Sequence, residues 1–197
     1  FGSEPSNSDL IYEIYEDHVE ITGYNILTQE IVIPAEIEGL PVTSIGDYAF
    51  SDCVGLTGIS IPDSVTHIGY AAFYGCYNLT SISIPDGVTF IDDYTFYNCS
   101  SLVSISIPDN ITSIGESAFQ YCSSLTSVSI PDDITSIGIR AFVGCSSLTS
   151  VSIPQSTTFI GDYAFNICSS LTGIYVDENN PNYSCDGSGV LFDREKT

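Results

Sequence analysis

Basic residues are almost missing from this chain. Its 197 residues carry 3 Lys and Arg in total against 25 Asp and Glu, a formal net charge of −22. The three are Arg140, Arg194 and Lys196. A nucleic-acid ligand needs a Lys/Arg surface that displaces its counterions, so that partner class is excluded. Anionic membrane surfaces repel the chain for the same reason. No apolar run approaches the roughly 20 residues of a membrane span. Methionine is absent altogether, even from position 1. The opening FGSEPSNSD is polar, without the basic start and apolar middle of a signal peptide. The expectation is therefore a mature or trimmed fragment. Charge is scarce at 14%, yet hydrophobic residues make up 43%, too many for a disordered chain.

What is present is a repeat. Cys53, Cys76, Cys99, Cys122, Cys145 and Cys168 stand 23 residues apart. The same interval separates Phe50, Phe73, Phe96, Phe119, Phe142 and Phe165, and Leu56, Leu79, Leu102, Leu125, Leu148 and Leu171. Ile45 to Ile160 form a fourth column and Pro62 to Pro154 a fifth. A fixed period of this size is the signature of a solenoid, in which no unit buries its apolar residues alone and stacking makes the core. Within one unit, Leu56, Ile59 and Ile61 with Ser60 between the last two predict a strand with one buried face. Pro62 ends it, because proline cannot donate to a ladder, and Pro62-Asp63 opens a turn. Residues 65–68 alternate again, Gly69 permits a bend, and residues 70–76 read as a short helical or 3₁₀ turn. Stacked strands lie about 4.8 Å apart, so six coils span on the order of 30 Å.

The ends depart from the pattern. Pro34 and Pro62 are 28 residues apart instead of 23, which places five extra residues around Glu36–Pro41. The expected organisation is a capping hairpin and degenerate first repeat over 1–42, six regular repeats over 43–176, and an irregular repeat over 177–197 that breaks the register. A strand is expected at Val190-Leu191-Phe192 after a Gly187-Ser188-Gly189 bend, with further repeats beyond Thr197.

The motif S-I-x-I-P-x-x-V-T-x-I-G-x-x-A-F-x-x-C-x-x-L, running from about Thr43 to Val176, resembles the BspA-type, or treponema-pallidum-type, leucine-rich repeat. The segment Ile33 to Gly46 and the tail N-N-x-x-Y-x-x-x-x-G-V-L-F-D, Asn179 to Asp193, resemble the lead-in and the irregular repeat of that family. Only Gln155-Ser156-Thr157-Thr158 departs from the Pro-Asp-x-Val turn. The resemblance implies a leucine-rich-repeat solenoid of the β-rich α/β right-handed superhelix class. It also implies a secreted or cell-surface protein of host-associated bacteria, with adhesion to proteins or cells as its activity.

Several columns invite chemistry. The cysteines are too far apart for local metal-ligand spacing, and parallel side chains disfavour disulfides, so Cys53 to Cys168 are expected reduced and packed as small apolar residues. Cys185 lies outside the ladder. Asp63, Asp86, Asp109 and Asp132 form a row at the Pro-Asp turn, read as solvated turn residues rather than calcium ligands. His18 and His67 have no evident nucleophile beside them, and no phosphate-loop, dinucleotide or nucleophile-elbow pattern occurs. The chain is thus expected to be no enzyme and to hold no cofactor or metal. Asn78, Asn98, Asn110 and Asn182 open glycosylation sequons of the kind Ser/Thr-rich chains contain by chance.

Two surfaces remain for binding. Tyr48, Tyr70, Tyr74, Tyr94, Tyr97 and Tyr163 gather near the expected helical turn, and tyrosine offers interface area at low entropic cost. Tyr77 and Tyr121 add to them, and Arg140 is placed to stack on Tyr163 or pair with Glu116 or Asp162. Ser60, Ser83, Ser106, Ser129 and Ser152 line the strand face, where a smooth uncharged surface could receive a protein or glycan. The expectation is a monomeric, non-enzymatic protein-binding or adhesion module, extracellular or on a cell surface. A rigid spacer presenting another domain is the alternative.

Overall fold

The computed structural model describes residues 9–25, 29–186, 189 and 191–193. Arg194, Lys196, Val190, Gly187 and Ser188 lie outside them. The chain winds into a β-solenoid of about seven turns whose strands are mostly parallel. It begins with an antiparallel hairpin of β1 (Leu10–Ile14) and β2 (Val19–Tyr24), closed by the Tyr15 N–H donating to the His18 carbonyl at 2.9 Å. β3 (Glu30–Val32), β4 (Glu36–Ile37) and β5 (Leu40–Ile45) follow. β5 runs parallel to β2, so the hairpin covers the first open edge of the stack. β3 pairs with a strand 28 residues on, while β5 pairs at an offset of 23. The five extra residues are absorbed by the β4–β5 hairpin, where Glu38 (φ 54°) and Gly39 (φ 81°) make the two-residue turn.

Each regular coil has three sides. The first strand of each coil appears as β6 (Gly58–Ser60), β8 (Ser81–Ser83), β10 (Ser104–Ser106), β13 (Ser150–Ile153) and β15 (Gly173–Val176). The second side carries β7 (His67–Ile68), β9 (Phe90–Ile91), β11 (Ser113–Ile114), β12 (Ser136–Ile137) and β14 (Phe159–Ile160). Where neighbouring coils pair on these sides they do so in parallel at the 23-residue offset, as Ile82 with Ile105 and Ile114 with Ile137, while β7 pairs with β5. The coil holding Ser129 is extended but forms no ladder strand, so the first sheet is interrupted there.

The third side corrects the expected helical turn: residues 70–76 are a run of turns, and no α-helix occurs among the described residues. Hydrogen bonding explains why. The N–H groups of Ala71, Phe73 and Gly75 donate outward to the carbonyls of Asp93, Thr95 and Tyr97 in the next coil, at 3.0, 2.9 and 2.8 Å. Those of Ala72, Tyr74 and Cys76 fold back on Gly69, Ala71 and Phe73 at 3.2, 3.0 and 3.2 Å. A helix would spend every N–H inside its own segment. Here alternate ones are given to stacking, which requires left-handed backbone twice per coil. One such column is Tyr48, Ala71, Tyr94, Ser117, Arg140 and Tyr163, with φ between 51° and 61°.

The core runs up the axis. Phe50, Phe73, Phe96, Phe119 and Phe142 are fully buried. Their rings stack face to face, centroids 5.1 to 5.5 Å apart, with Phe165 as the last member. Tyr24 of the capping hairpin extends the stack to Phe50 at 5.8 Å. Each buried aromatic is worth roughly 1.5–3 kcal/mol over its exposed state. Beside them, the thiols of Cys76, Cys99, Cys122, Cys145 and Cys168 donate to the carbonyl of the phenylalanine one coil back, at 3.1 to 3.2 Å. All seven cysteines are free thiols. Hydroxyl ladders follow the same rule: Thr112, Thr135 and Thr158 each donate to the carbonyl of the threonine 23 residues earlier, at 3.0 to 3.2 Å.

At the far end the register runs on to Tyr183, further than the sequence suggests. Asn180 occupies the position of Thr157 one coil before and is fully buried. Its Nδ2 donates to the carbonyls of Pro154 and Thr157 at 2.7 and 3.0 Å, and its Oδ1 accepts from the N–H groups of Asn182 and Tyr183 at 2.9 and 2.8 Å. The Tyr183 hydroxyl accepts the Ile160 N–H at 2.8 Å. β16 (Tyr183–Cys185) and β17 (Leu191–Asp193) then pair antiparallel.

Candidate functional site

The left-handed column of the third side carries Tyr48 and Tyr163, 55% and 63% exposed, while Ala71 and Ser117 of the same column are buried. Five of the six sequence-selected tyrosines come together. Tyr48 meets Tyr70 edge-on at 5.2 Å, and Tyr70 meets Tyr94 at 5.5 Å. Tyr94 meets Tyr97 at 5.8 Å, and Tyr74 lies flat on Tyr97 at 4.8 Å. Tyr121 joins the chain against Tyr97 at 5.7 Å. The strip crosses four coils, a length on the order of 15 Å. Tyr163 is apart from it, three coils beyond Tyr94 in the same column. Arg140 lies over the Tyr163 ring at 6.0 Å from its centroid.

Carboxylates are held along the strip. Asp47 Oδ1 accepts the Tyr70 N–H at 2.9 Å, and Asp93 Oδ1 accepts the Glu116 N–H at 2.5 Å. Glu116 Oε1 accepts the Tyr94 hydroxyl at 3.1 Å. Burial and then Glu116 push the Tyr94 phenol up, burial pushes up Tyr97, and the Tyr48 phenol pushes up Tyr70. Tyr70, Tyr94 and Tyr97 are thus held as neutral phenols beside carboxylates that the fold keeps in place. Sequence reasoning named Glu116 only as a pairing partner of Arg140, whereas it accepts the Tyr94 hydroxyl, and gave Tyr121 only a secondary place. Glu116 shares the column of Asp47, Tyr70 and Asp93, the signal that would have joined it to the others, whereas the column of Tyr121 holds no other tyrosine of the strip.

Ser60, Ser83, Ser106, Ser129 and Ser152 are all exposed, but on the first-strand side, a different side of the coil from the tyrosines. They form a row of their own, and Ser129 sits in the interrupted coil. Their row is flanked by exposed Val32 and Tyr175. The two sets are therefore two surfaces and not one site. Asp63, Asp86, Asp109 and Asp132 stand exposed at turns closed by backbone bonds such as the Val65 N–H to the Pro62 carbonyl at 3.0 Å.

Neither histidine adjoins a nucleophile. His18 stacks on Tyr15 at 4.7 Å with Asp17 2.7 Å from its Nδ1, and His67 faces Phe90 at 5.6 Å. Among the described residues, no group of three His, Cys, Asp or Glu is placed to hold a metal ion. A hollow of about 600 Å³ opens at Asp132, Pro154, Ser156 and Asp177 near the end of the stack. Its serine hydroxyl is taken by the Ile134 carbonyl at 2.7 Å. No helix among the described residues is long and apolar enough to cross a membrane.

Comparison with known proteins agrees with this geometry. The family model of the BspA type leucine rich repeat region matches residues 43–172 in six copies. A leucine-rich repeat protein of T. pallidum superposes with a TM-score of 0.83 at 35% identity, covering 88% of this chain and 82% of that one. A leucine rich cell surface protein from Faecalibacterium prausnitzii A2-165 gives 0.73 at 31% identity, covering 98% of this chain and 59% of that one. The pneumococcal vaccine antigen PcpA shares the fold, at 0.61 and 21% identity. Comparison with curated proteins gives no match. Such repeats suggest a protein-interaction or cell-surface module. The chain belongs to the BspA-type leucine-rich repeat family.

Proposed function

We infer that the chain is a non-enzymatic adhesion module that binds a protein at a cell surface through its tyrosine strip. The supporting observation is the strip itself, six rings in continuous contact from Tyr48 to Tyr121. A stack of coils needs no aromatic surface outside its core to stand, and tyrosine is the residue type that interfaces enrich. The cell-surface placement is supported by the likeness to the F. prausnitzii protein. The test is surface plasmon resonance of the immobilised chain against purified extracellular-matrix and cell-surface proteins, with a glycan array in parallel. Saturable binding of a protein that weakens in the Tyr48→Ser/Tyr94→Ser variant is expected. Saturable glycan binding that survives that variant and is lost on changing Ser83 and Ser106 would move the site to the serine row.

A rigid spacer is the second reading, supported by the ladders that tie each coil to the next. A chain that bound nothing in either panel would favour it.

A further inference from the structure

The strip carries more than aromatic area. Its rings lie beside three carboxylates pinned by the fold: Asp47 by the Tyr70 N–H, Asp93 by the Glu116 N–H, and Glu116 by the Tyr94 hydroxyl. An aromatic face next to a held anion suits a guanidinium, which stacks flat on a ring while its N–H fork reaches a carboxylate. The chain contains one instance of the ring contact alone. Arg140 occupies the same left-handed column as Tyr48 and Tyr94 and lies over Tyr163, one coil on, at 6.0 Å. Arg140 is also the one basic side chain among the described residues, against a net charge of −22 for the chain. The strip thus has the faces and anions for guanidinium groups but no cation of its own. Any basic partner is steered towards it by the field of the whole molecule.

We propose that the strip from Tyr48 to Tyr121 receives an arginine-rich segment of its protein partner, guanidinium groups lying over Tyr48 and Tyr94 as Arg140 lies over Tyr163. This rests on the protein-binding reading above and adds the chemistry of the partner. Arginine is required over lysine, because a compact ammonium neither stacks as a plane nor spans ring and carboxylate together.

The probes are a nine-residue arginine peptide and its lysine counterpart, titrated calorimetrically against the whole chain at physiological salt. The arginine peptide is expected to bind several-fold tighter. Tyr48→Ser/Tyr70→Ser/Tyr94→Ser keeps the net charge, and should weaken arginine binding about tenfold and erase the preference. Asp63→Asn/Asp86→Asn/Asp109→Asn removes three charges at the Pro-Asp turns and should change it less than about threefold. Equal affinity for the two peptides, or an equal loss in both variants, would mean diffuse attraction to an acidic molecule and would overturn the proposal. Should the triple tyrosine variant unfold, Tyr48→Ser alone keeps the question open, because Tyr48 is 55% exposed. An unchanged arginine affinity there overturns the proposal too. A protein ligand that is lost in these tyrosine variants, while the arginine and lysine peptides bind alike, removes this inference and leaves the protein-binding reading standing. Arginine preference with no protein ligand in the panel does the reverse.

Discussion

A cysteine thiol in this stack has an acceptor within reach, the carbonyl of a phenylalanine one coil back. In that place it is a small buried donor and not a nucleophile. Burial pushes the thiols of Cys99, Cys122 and Cys145 above the usual range. Ellman's reagent at pH 8 should therefore modify half-buried Cys185 first, Cys168 more slowly because burial pushes its thiol up too, and the other five only after denaturation, since only a thiolate attacks. The same shift has a sign in stability. Unfolded thiols release protons above about pH 8.5 while the buried ones keep theirs, so the native state binds more protons there. Stability is full below that pH and falls above it, by up to about 1.4 kcal/mol per pH unit for each such thiol. Urea midpoints measured from pH 7 to 10 check this. Ile167 is a second case. It takes φ 60° at a position filled elsewhere by Gly75, Asn98 and Gly144. A β-branched residue is strained in that region. Ile167→Asn should raise stability by about 1 kcal/mol in urea titration, and no change would mean that its packing compensates the strain.

Between coils, a column of glycines interrupted only by Asp92 sets how closely the turns approach. A Cβ on Gly138 would fall 2.5 Å from the backbone C and O of Gly115. No side chain can move to relieve that contact, so the coils must part. Gly138→Ala should cost about 3 kcal/mol or more, read from thermal or urea unfolding. The closing turn depends on Asn180 in the same way. Its four hydrogen bonds satisfy buried backbone groups that an apolar residue would leave unmet. Asn180→Ala should cost about 2–4 kcal/mol, and hydrogen exchange should accelerate in β15 to β17 but not in β6 to β10. Global loss of protection would show instead that the stack unfolds as one. These two cases also mark the limit of sequence reading. The glycines could be read as bends because the bend is local. Their close approach to the next coil could not, because that depends on the distance between stacked backbones. The segment 70–76 looked helical from Ala72, Phe73 and the apolar spacing, and that reading was wrong because alternate N–H groups bond to the next coil.

Over the whole molecule, repetition multiplies small effects. Contacts reach only the neighbouring coil, so stability is close to a sum over coils and interfaces. Charge is the exception, since it acts across coils. A net charge of −22 repels itself in the compact state. Raising NaCl from about 20 to 500 mM shortens the screening length several-fold, and the thermal midpoint should rise by a few degrees. A midpoint that fell with salt would show that attractive ion pairs outweigh this repulsion.

The 23-residue period by itself determined the solenoid, the identity of the core ladders and the packing role of the cysteines. All of these follow from spacing, which stacking repeats without altering. The site was partly legible. Tyr48, Tyr70, Tyr74, Tyr94 and Tyr97 stood out as a group, but Tyr163 was counted with them and Tyr121 only as an addition. The tertiary structure decided which rings touch, that serines and tyrosines face different ways, and that carboxylates are fixed beside the strip. Those outcomes depend on a backbone that turns left-handed twice per coil to give alternate N–H groups to its neighbour. No single unit of sequence contains the neighbour that makes this conformation favourable.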